Sequence, residues 1–288
     1  MDVSDLRVFE AVARHGNMSR AAQELNTVQS NVTARIRALE AELGVPLFQR
    51  HARGVSAAPA GQRMLPFAGQ ISKLLADAKA AALDDGAPNG SLRLGGMETT
   101  TALRLSPLLS RFAKTYPDVD LTITTGTTAR LVAEVLDGRL EAAFVSGPVN
   151  HPDLLREAMF QEELVLATAP SIPSARELTA LGELRIIVFQ AGCSYRQRLE
   201  AFMAGRGIVT AKALEFGSLE AIIACVSAGV GVSLLPRGIV AQAGQDGRVA
   251  IHELPPEQAR VETLLVRRHD AYVSSALTAF LDMARNVA

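Results

Sequence analysis

Gln29, Ser30, Thr33 and Arg37, with Asn31 and Arg35 beside them, place amide, hydroxyl and guanidinium groups within one short segment that contains no acid. Such side chains can hydrogen-bond the edges of bases, and arginine also pairs with phosphate. Their placement follows from the apolar residues between them. Val32, Ile36, Leu39 and Leu43 recur at spacings of four and three and form one stripe at about 100° per residue, which packs inward. The opposite face carries Ser30, Ala34, Arg37, Ala38 and Ala41, flanked by Gln29 and Thr33 on one side and by Asn31 and Arg35 on the other. It is a slim, polar surface. A shorter helix should precede it, capped by Ser19, continuing through Arg20, and carrying Ala21 and Ala22 for close crossing by a second helix. Two helices and a tight connection suit a helix-turn-helix reader of the DNA major groove, although many ordinary helix pairs share the pattern.

The flanks strengthen the DNA reading. Leu6, Phe9 and Ala13 supply an earlier amphipathic helix closed by Gly16, and after Gly44 two short strand-like pieces surround Arg50, His51 and Arg53 as a wing. From Arg14 to Arg53 six arginines face three acids, Glu24, Glu40 and Glu42, on a chain whose formal charge is -1. In this scheme the wing arginines Arg50 and Arg53 fix register on phosphates and Gln29, Ser30, Thr33 and Arg37 address base edges, with Ser19, Arg20, Asn31 and Arg35 as further DNA-binding candidates. The run SRAAQELNTVQSNVTARIRALEAELGVPLFQR, preceded by Phe9 and Gly16, resembles the winged helix-turn-helix of LysR-type transcriptional regulators. The resemblance covers about forty consecutive positions, and the length and layout of the rest also fit. Two departures stand out: Val28 replaces a frequent Ser or Thr before the glutamine, leaving the cap of the recognition helix open, and Ala34 replaces a frequent basic residue. A small apolar group there suits a thymine methyl or close backbone approach.

The chain has 288 residues, 48% hydrophobic and 20% charged, enough for sizeable cores and too many for one small domain. Its start, MDVSDLRVFEAV, lacks a leader pattern, and the apolar run from Ala221 to Leu235 is broken by Ser227, Gly229 and Gly231, so a cytoplasmic protein is expected. Charge is no guide at this scale: residues 1–90 hold ten basic and nine acidic groups out of 29 and 30. Cys193 and Cys225 have no metal-ligand spacing, so no cofactor is expected. Cys225 reads as a buried small hydrophobe. Cys193, before a helix, is a loop thiol whose pKa a helix N-terminus could lower, which keeps redox sensing open as an alternative.

From Pro59, Met64, Phe67 or Ala68, Ile71, Leu74 or Leu75, Ala78 and Ala82 recur at threes and fours over about 25 residues. Such a helix reaches about 38 Å, further than one small domain covers, and calls for a partner helix, most economically that of a second subunit. Pro59 suits the first turn, whereas Pro66 should kink or interrupt the helix. A hinge follows at 84–90. The resemblance implies a homodimer through this helix, commonly doubled to a tetramer, with RNA polymerase a further candidate partner.

Beyond Gly90 strands and helices alternate, implying parallel sheets in two subdomains, with crossings near 160–165 and 261–267 and a last helix from Val273 closing the first. The expected fold class is thus α+β multidomain: a winged helix-turn-helix at 1–58, a linker helix and hinge at 59–89, and a two-lobed α/β effector domain at 90–288. Lobe I takes 90–161 and 266–288, and lobe II takes 162–265. The resemblance adds that such effector domains look like periplasmic solute-binding proteins. Ligands gather at the carboxyl ends of strands where helices begin. Those turns hold Thr99, Thr100, Thr101, Thr125, Thr127, Thr128, Ser146, Cys193, Ser194, Gly217 and Ser218. Each hydroxyl can serve as an ordinary helix cap, but several positive helix ends around one crevice favour a small anion. Tyr195, Phe144 and Phe216 are candidate walls, and Arg196 is a candidate cation for a carboxylate. An enzyme fused to a DNA-binding segment is the competing class. It is disfavoured by five scattered histidines and by the lack of a nucleophile-base or metal-ligand cluster. A solute-binding protein would share the lobes but not the basic N-terminal segment.

Overall fold

The computed structural model describes residues 1–51, 54–174, 178, 184–189, 192–208 and 213–286. The chain divides into two compact units, Met1–Asp84 and Asp85–Ala288.

In the first unit α1 (Val3–His15) begins with a reciprocal cap between Asp2 and Asp5 and ends at Gly16, in the left-handed region at φ 59°. The second helix, α2 (Met18–Glu24), is capped by Asn17, not Ser19: the Asn17 carboxamide oxygen accepts from the Ser19 and Arg20 backbone N–H groups at 2.9 and 3.1 Å. Asparagine satisfies both orphan donors of the first turn and leaves the Ser19 hydroxyl free for other work. The third helix, α3 (Gln29–Leu43), has Val28 at its N-cap with no side-chain bond and closes at Gly44. Val32, Ile36 and Leu39 join Phe9, Val12, Ala21 and Ala22 in one core. The expected stripe stops one turn short, because Leu43 is 39% exposed. The intervening Glu40 uses its carboxylate to accept from the Leu47 and Phe48 N–H groups at 2.8 and 3.1 Å, tying the helix to the wing.

The wing pairs β1 (Phe48–His51) with β2 (Gly54–Ala57) antiparallel, Arg50 opposite Val55. Gly54 sits at φ 137°, and a Cβ there would lie 2.3 Å from the Gly16 carbonyl oxygen, so the approach of wing to α1 requires glycine. The following α4 (Pro59–Leu83) runs through Pro66 without interruption. A proline removes one ladder bond, and the remaining bonds and the packing of Gly61 and Ala68 carry the helix past it.

The second unit is built on a seven-stranded mixed sheet, ordered β10-β6-β11-β5-β3-β4 with β9 also on β6, plus a β7-β8 pair. Its elements in order begin with β3 (Gly90–Gly96), α5 (Glu98–Thr100), a π-helical turn (Thr101–Leu105) and α6 (Ser106–Thr115). Then come β4 (Val119–Thr125), α7 (Thr128–Leu136), β5 (Ala142–Ser146), β6 (Leu154–Thr168), β7 (Ile187–Phe189), α8 (Ser194–Ala204), β8 (Leu214–Phe216) and α9 (Leu219–Ser227). The chain finishes with β9 (Ser233–Pro236), α10 (Arg237–Gln245), β10 (Ala250–His252), α11 (Pro256–Ala259), β11 (Arg260–Arg268) and α12 (Ser275–Arg285).

The pairs β3-β4, β3-β5 and β7-β8 are parallel, as the alternation implies. The crossing is not. The 15-residue β6 runs antiparallel to β11 from Glu163↔Arg260 to Leu154↔Arg268, with a register shift at Thr263/Leu264. Strand direction depends on a partner some hundred residues away, which alternation cannot report. The elements α10, β10 and α11 likewise had no counterpart in the sequence pattern. One core packs Leu92, Phe112, Phe144 and Phe280 between sheet, α6 and α12, and another joins Val165, Ile187, Ile222 and Leu235.

Candidate functional site

On α3 the exposed face presents Gln29, Ser30 and Arg37, with Thr33 half-buried. The Ser19 hydroxyl, released from capping, donates to Gln29 Oε1 at 2.9 Å, so α2 fixes the rotamer of the first residue of α3. This bond uses the amide oxygen of Gln29, an exposed residue, and leaves its N–H₂ donors for other partners. The Asn31 amide donates to Thr27 Oγ1 at 2.9 Å and braces the turn, leaving its oxygen available. The expected role of Arg35 changes: its guanidinium bonds Asp5 at 3.0 Å and lies 4.0 Å from Asp2, pinning α3 to α1. Arg14 is spent in the same way on Glu24, at 3.0 Å. Arg20, Arg37 and Arg50 remain exposed and, among the described residues, form no protein ion pair. Arg53 lies outside the described residues. A face of donors with three uncommitted guanidinium groups suits an acceptor-rich, anionic surface.

In the second unit a cavity of about 330 Å³ opens at the strand-to-helix turns. Thr99, Thr125, Thr127, Thr128, Cys193, Tyr195 and Gly217 of the expected set line it, together with Met97, Glu98, Gly126, Arg130, Phe189 and Phe216. Thr127 and Ser218 do cap their helices, accepting from the Arg130 and Ala221 N–H groups, both at 3.4 Å. The others behave differently. Thr128 Oγ1 accepts from the Ser146 N–H at 3.3 Å, and Ser146 is buried behind it. Among the described residues Thr100, Thr101 and Ser194 bury hydroxyls without a partner, and none of the three lines the cavity. Phe144 is fully buried core, so the wall consists of Phe189, Phe216 and Tyr195.

Arg196 is withdrawn from the role of carboxylate receptor. It is held between Glu200, at 2.9 Å, and Glu215, off the cavity. Arg130 takes its place on the lining, paired at 2.9 Å with Glu134 one turn along α7. Glu98 is absent from the sequence-based set because an acid does not fit a site expected to take an anion, yet it reaches across the cleft to accept the Leu219 N–H at 3.1 Å. Tyr195 is 4% exposed; Thr99 is the side chain close enough to influence its hydroxyl, but the geometry between them falls outside hydrogen-bond limits, so among the described residues the hydroxyl completes no bond. Burial pushes its phenol up to about 12, so it stays neutral at ordinary pH. Burial likewise raises the Cys193 thiol, opposing the low pKa that oxidant sensing needs. Among the described residues no group of His, Cys, Asp and Glu could hold a metal, and no helix is long and apolar enough to cross a membrane.

A donor-rich helix-turn-helix with a wing in one unit, and a ligand-sized cavity between the ends of β3 and β4 and those of β7 and β8 in the other, define a transcription regulator with an effector domain. Residues 3–62 match the bacterial regulatory helix-turn-helix protein, lysR family, and residues 85–288 match the LysR substrate binding domain. The chain belongs to the LysR family of transcriptional regulators, which are not enzymes. It is 42% identical over 286 residues to the HTH-type transcriptional regulator GltR of Bacillus subtilis, covering 99% of this chain and 97% of that one. CzcR of Bacillus cereus is 38% identical over 281 residues, 98% of this chain and 96% of CzcR. Among solved structures, full-length CbnR complexed with its target DNA superposes with a TM-score of 0.65 at 26% identity, covering all of both chains. Full-length OxyR from Pseudomonas aeruginosa, at 20% identity, shares the fold with a TM-score of 0.70, over 100% of this chain and 94% of that one.

Proposed function

We propose that two copies of this chain, joined along α4, read an interrupted palindrome, and that a small acid bound in the cavity controls the reading. The DNA part rests on α3: Gln29, Ser30, Thr33, Arg37 and the amide oxygen of Asn31 address base edges, while Arg20 and Arg50 hold phosphates. The dimer is supported by α4, where Phe67 is 64%, Ile71 39% and Leu74 58% exposed on one face of a helix of 25 residues. A second copy of the same helix covers such a stripe most simply. A regulator of this kind works in the cytoplasm, beside the chromosome.

The observation that carries the effector reading is the buried, unpartnered Tyr195 hydroxyl on the lining of the 330 Å³ cavity. A polar atom left unsatisfied inside a protein costs free energy that a ligand can return. Acidity is supported by Arg130 and by the N-terminus of the nine-residue α7, with Thr127 and Thr128 beside it. Thermal unfolding of the full-length protein against a panel of amino acids, carboxylic acids, neutral sugars and inorganic anions tests this. A ligand at 100 times its dissociation constant adds about 2.7 kcal/mol, worth about 5 to 10 °C in a domain of this size. The same compound should change operator affinity. Binding confined to neutral compounds sinks the acidic effector.

A further inference from the structure

The two ends of the cavity differ in charge. At the α9 end the protein answers its own helix terminus: Glu98 accepts the Leu219 N–H at 3.1 Å and Ser218 accepts the Ala221 N–H at 3.4 Å. A ligand carboxylate arriving here meets another carboxylate, and like charges in close contact repel. The second oxygen of Glu98 has no protein hydrogen-bond partner among the described residues. Close by, Tyr195 stands beside Thr99 with its buried hydroxyl unpartnered, and a neutral phenol can accept as well as donate. The α7 end is the reverse. Arg130 is the cation on the lining; its side chain is 60% accessible, while that of its partner Glu134 is only 14% accessible. The guanidinium meets Glu134 through Nε and, among the described residues, has its other N–H donors left for a ligand, so the pair need not break when an acid binds.

We infer that the cavity selects a zwitterion of the amino-acid class, its acidic group at Arg130 and the start of α7 and its protonated amine at Glu98 and the Tyr195 hydroxyl. An ammonium offers three donors, and the free Glu98 oxygen and the phenol oxygen are two acceptors waiting for them. A simple anion satisfies only the α7 end. Because Glu98 stands in one lobe and Leu219 in the other, the amine also neutralises the charge that ties the lobes together. This inference rests on the cavity being the effector site.

Titration calorimetry of the full-length protein with matched compounds tests it. L-leucine is compared with 4-methylpentanoate and 3-methylbutylamine, and L-phenylalanine and L-glutamate with their deaminated and decarboxylated counterparts. At least one amino acid should bind about tenfold tighter than either of its counterparts, the size expected for one charge-assisted hydrogen bond. Glu98→Gln keeps an oxygen for the Leu219 N–H and removes the charge. The preference over the deaminated compound should then fall to within about threefold, while the melting midpoint of the ligand-free protein holds. Deaminated acids binding as tightly as amino acids, or an undiminished preference in Glu98→Gln, overturns the inference. So does a protein that binds other acids of the wider panel and none of these amino acids, although the effector reading then survives. If no small molecule binds, both fall together.

Discussion

The N-terminal unit is unfinished on its outside, and the C-terminal unit on its inside. In the first, Arg20, Arg37 and Arg50 carry no protein partner among the described residues, and Phe67, Leu74 and Leu75 of α4 lie exposed. In the second, the arginines are mostly spent at home: Arg104 bonds Glu162 at 2.6 Å, Arg285 bonds Glu157 at 2.8 Å, and Arg237 bridges Glu163 and Glu253. What stays unsatisfied there is internal: among the described residues the buried hydroxyls of Thr100, Thr101, Ser194, Tyr195 and Thr263 lack partners, and of these Tyr195 lines the cavity. The contrast separates recognition of large partners from recognition of a small one. DNA and a second subunit need extended surfaces whose groups are left unpaired, whereas a metabolite is met inside the fold by a few groups that line one cavity.

The largest test of that contrast is Leu74→Glu. A charge in the exposed stripe should convert dimer to monomer in sedimentation and weaken operator binding by about a hundredfold or more, since the second half-site is no longer tethered. The far-ultraviolet spectrum should not change; a variant that stays dimeric with full affinity assigns the seam elsewhere. Next, Gln29→Ala should cost about 1 to 3 kcal/mol on operator DNA and almost nothing on unrelated DNA. Arg50→Ala should weaken both alike and lower the salt slope by about one counterion. Binding assays over a salt series that show equal losses for both variants would remove the division between base and phosphate contacts.

In the other unit, Tyr195→Phe deletes a buried hydroxyl that nothing answers. The ligand-free protein should keep its melting midpoint or gain as much as about 1 kcal/mol, while effector affinity falls; loss of stability without ligand would mean that the hydroxyl is already satisfied. The smallest effect concerns acid. The Arg268 guanidinium holds Asp270 down at about 2, below its ordinary 3.8, so the ion pair contributes stability that is complete above about pH 5 and is lost as pH falls from 3.8 toward 2. Asp270→Asn should be slightly less stable than wild type near neutrality and indistinguishable at pH 2, a small gap because Asp270 is 46% exposed. Calorimetric melting over that range reads it.

The two regions also differ in how far their residues announced themselves. Thirteen of the fifteen positions of α3 could be assigned a face from spacing alone, because 3.6-residue periodicity is local and the segment is continuous. The errors there came from partners beyond the helix: Asp5 claims Arg35 from α1, and Asn17 takes the cap from Ser19. The cavity was read by a rule about strand ends that located Thr99, Thr125, Thr127, Thr128 and Tyr195. It missed Met97, Glu98, Gly126, Arg130 and Phe189 at the same turns, because which apolar and charged side chains face the cavity depends on packing that spacing does not report.

The amino-acid order by itself determined most of the helices and strands, α10, β10 and α11 excepted, which face of α3 is polar, and that the chain is a LysR regulator, because each is written in short-range spacing or in a long continuous motif. Tertiary structure alone decided that β6 and β11 pair antiparallel, that Arg196 is occupied by Glu200 and Glu215 while Arg130 reaches the cavity, and that Glu98 closes on α9. Those outcomes depend on groups up to 121 residues apart meeting within about 3 Å, and charge cancels or persists only when that meeting takes place.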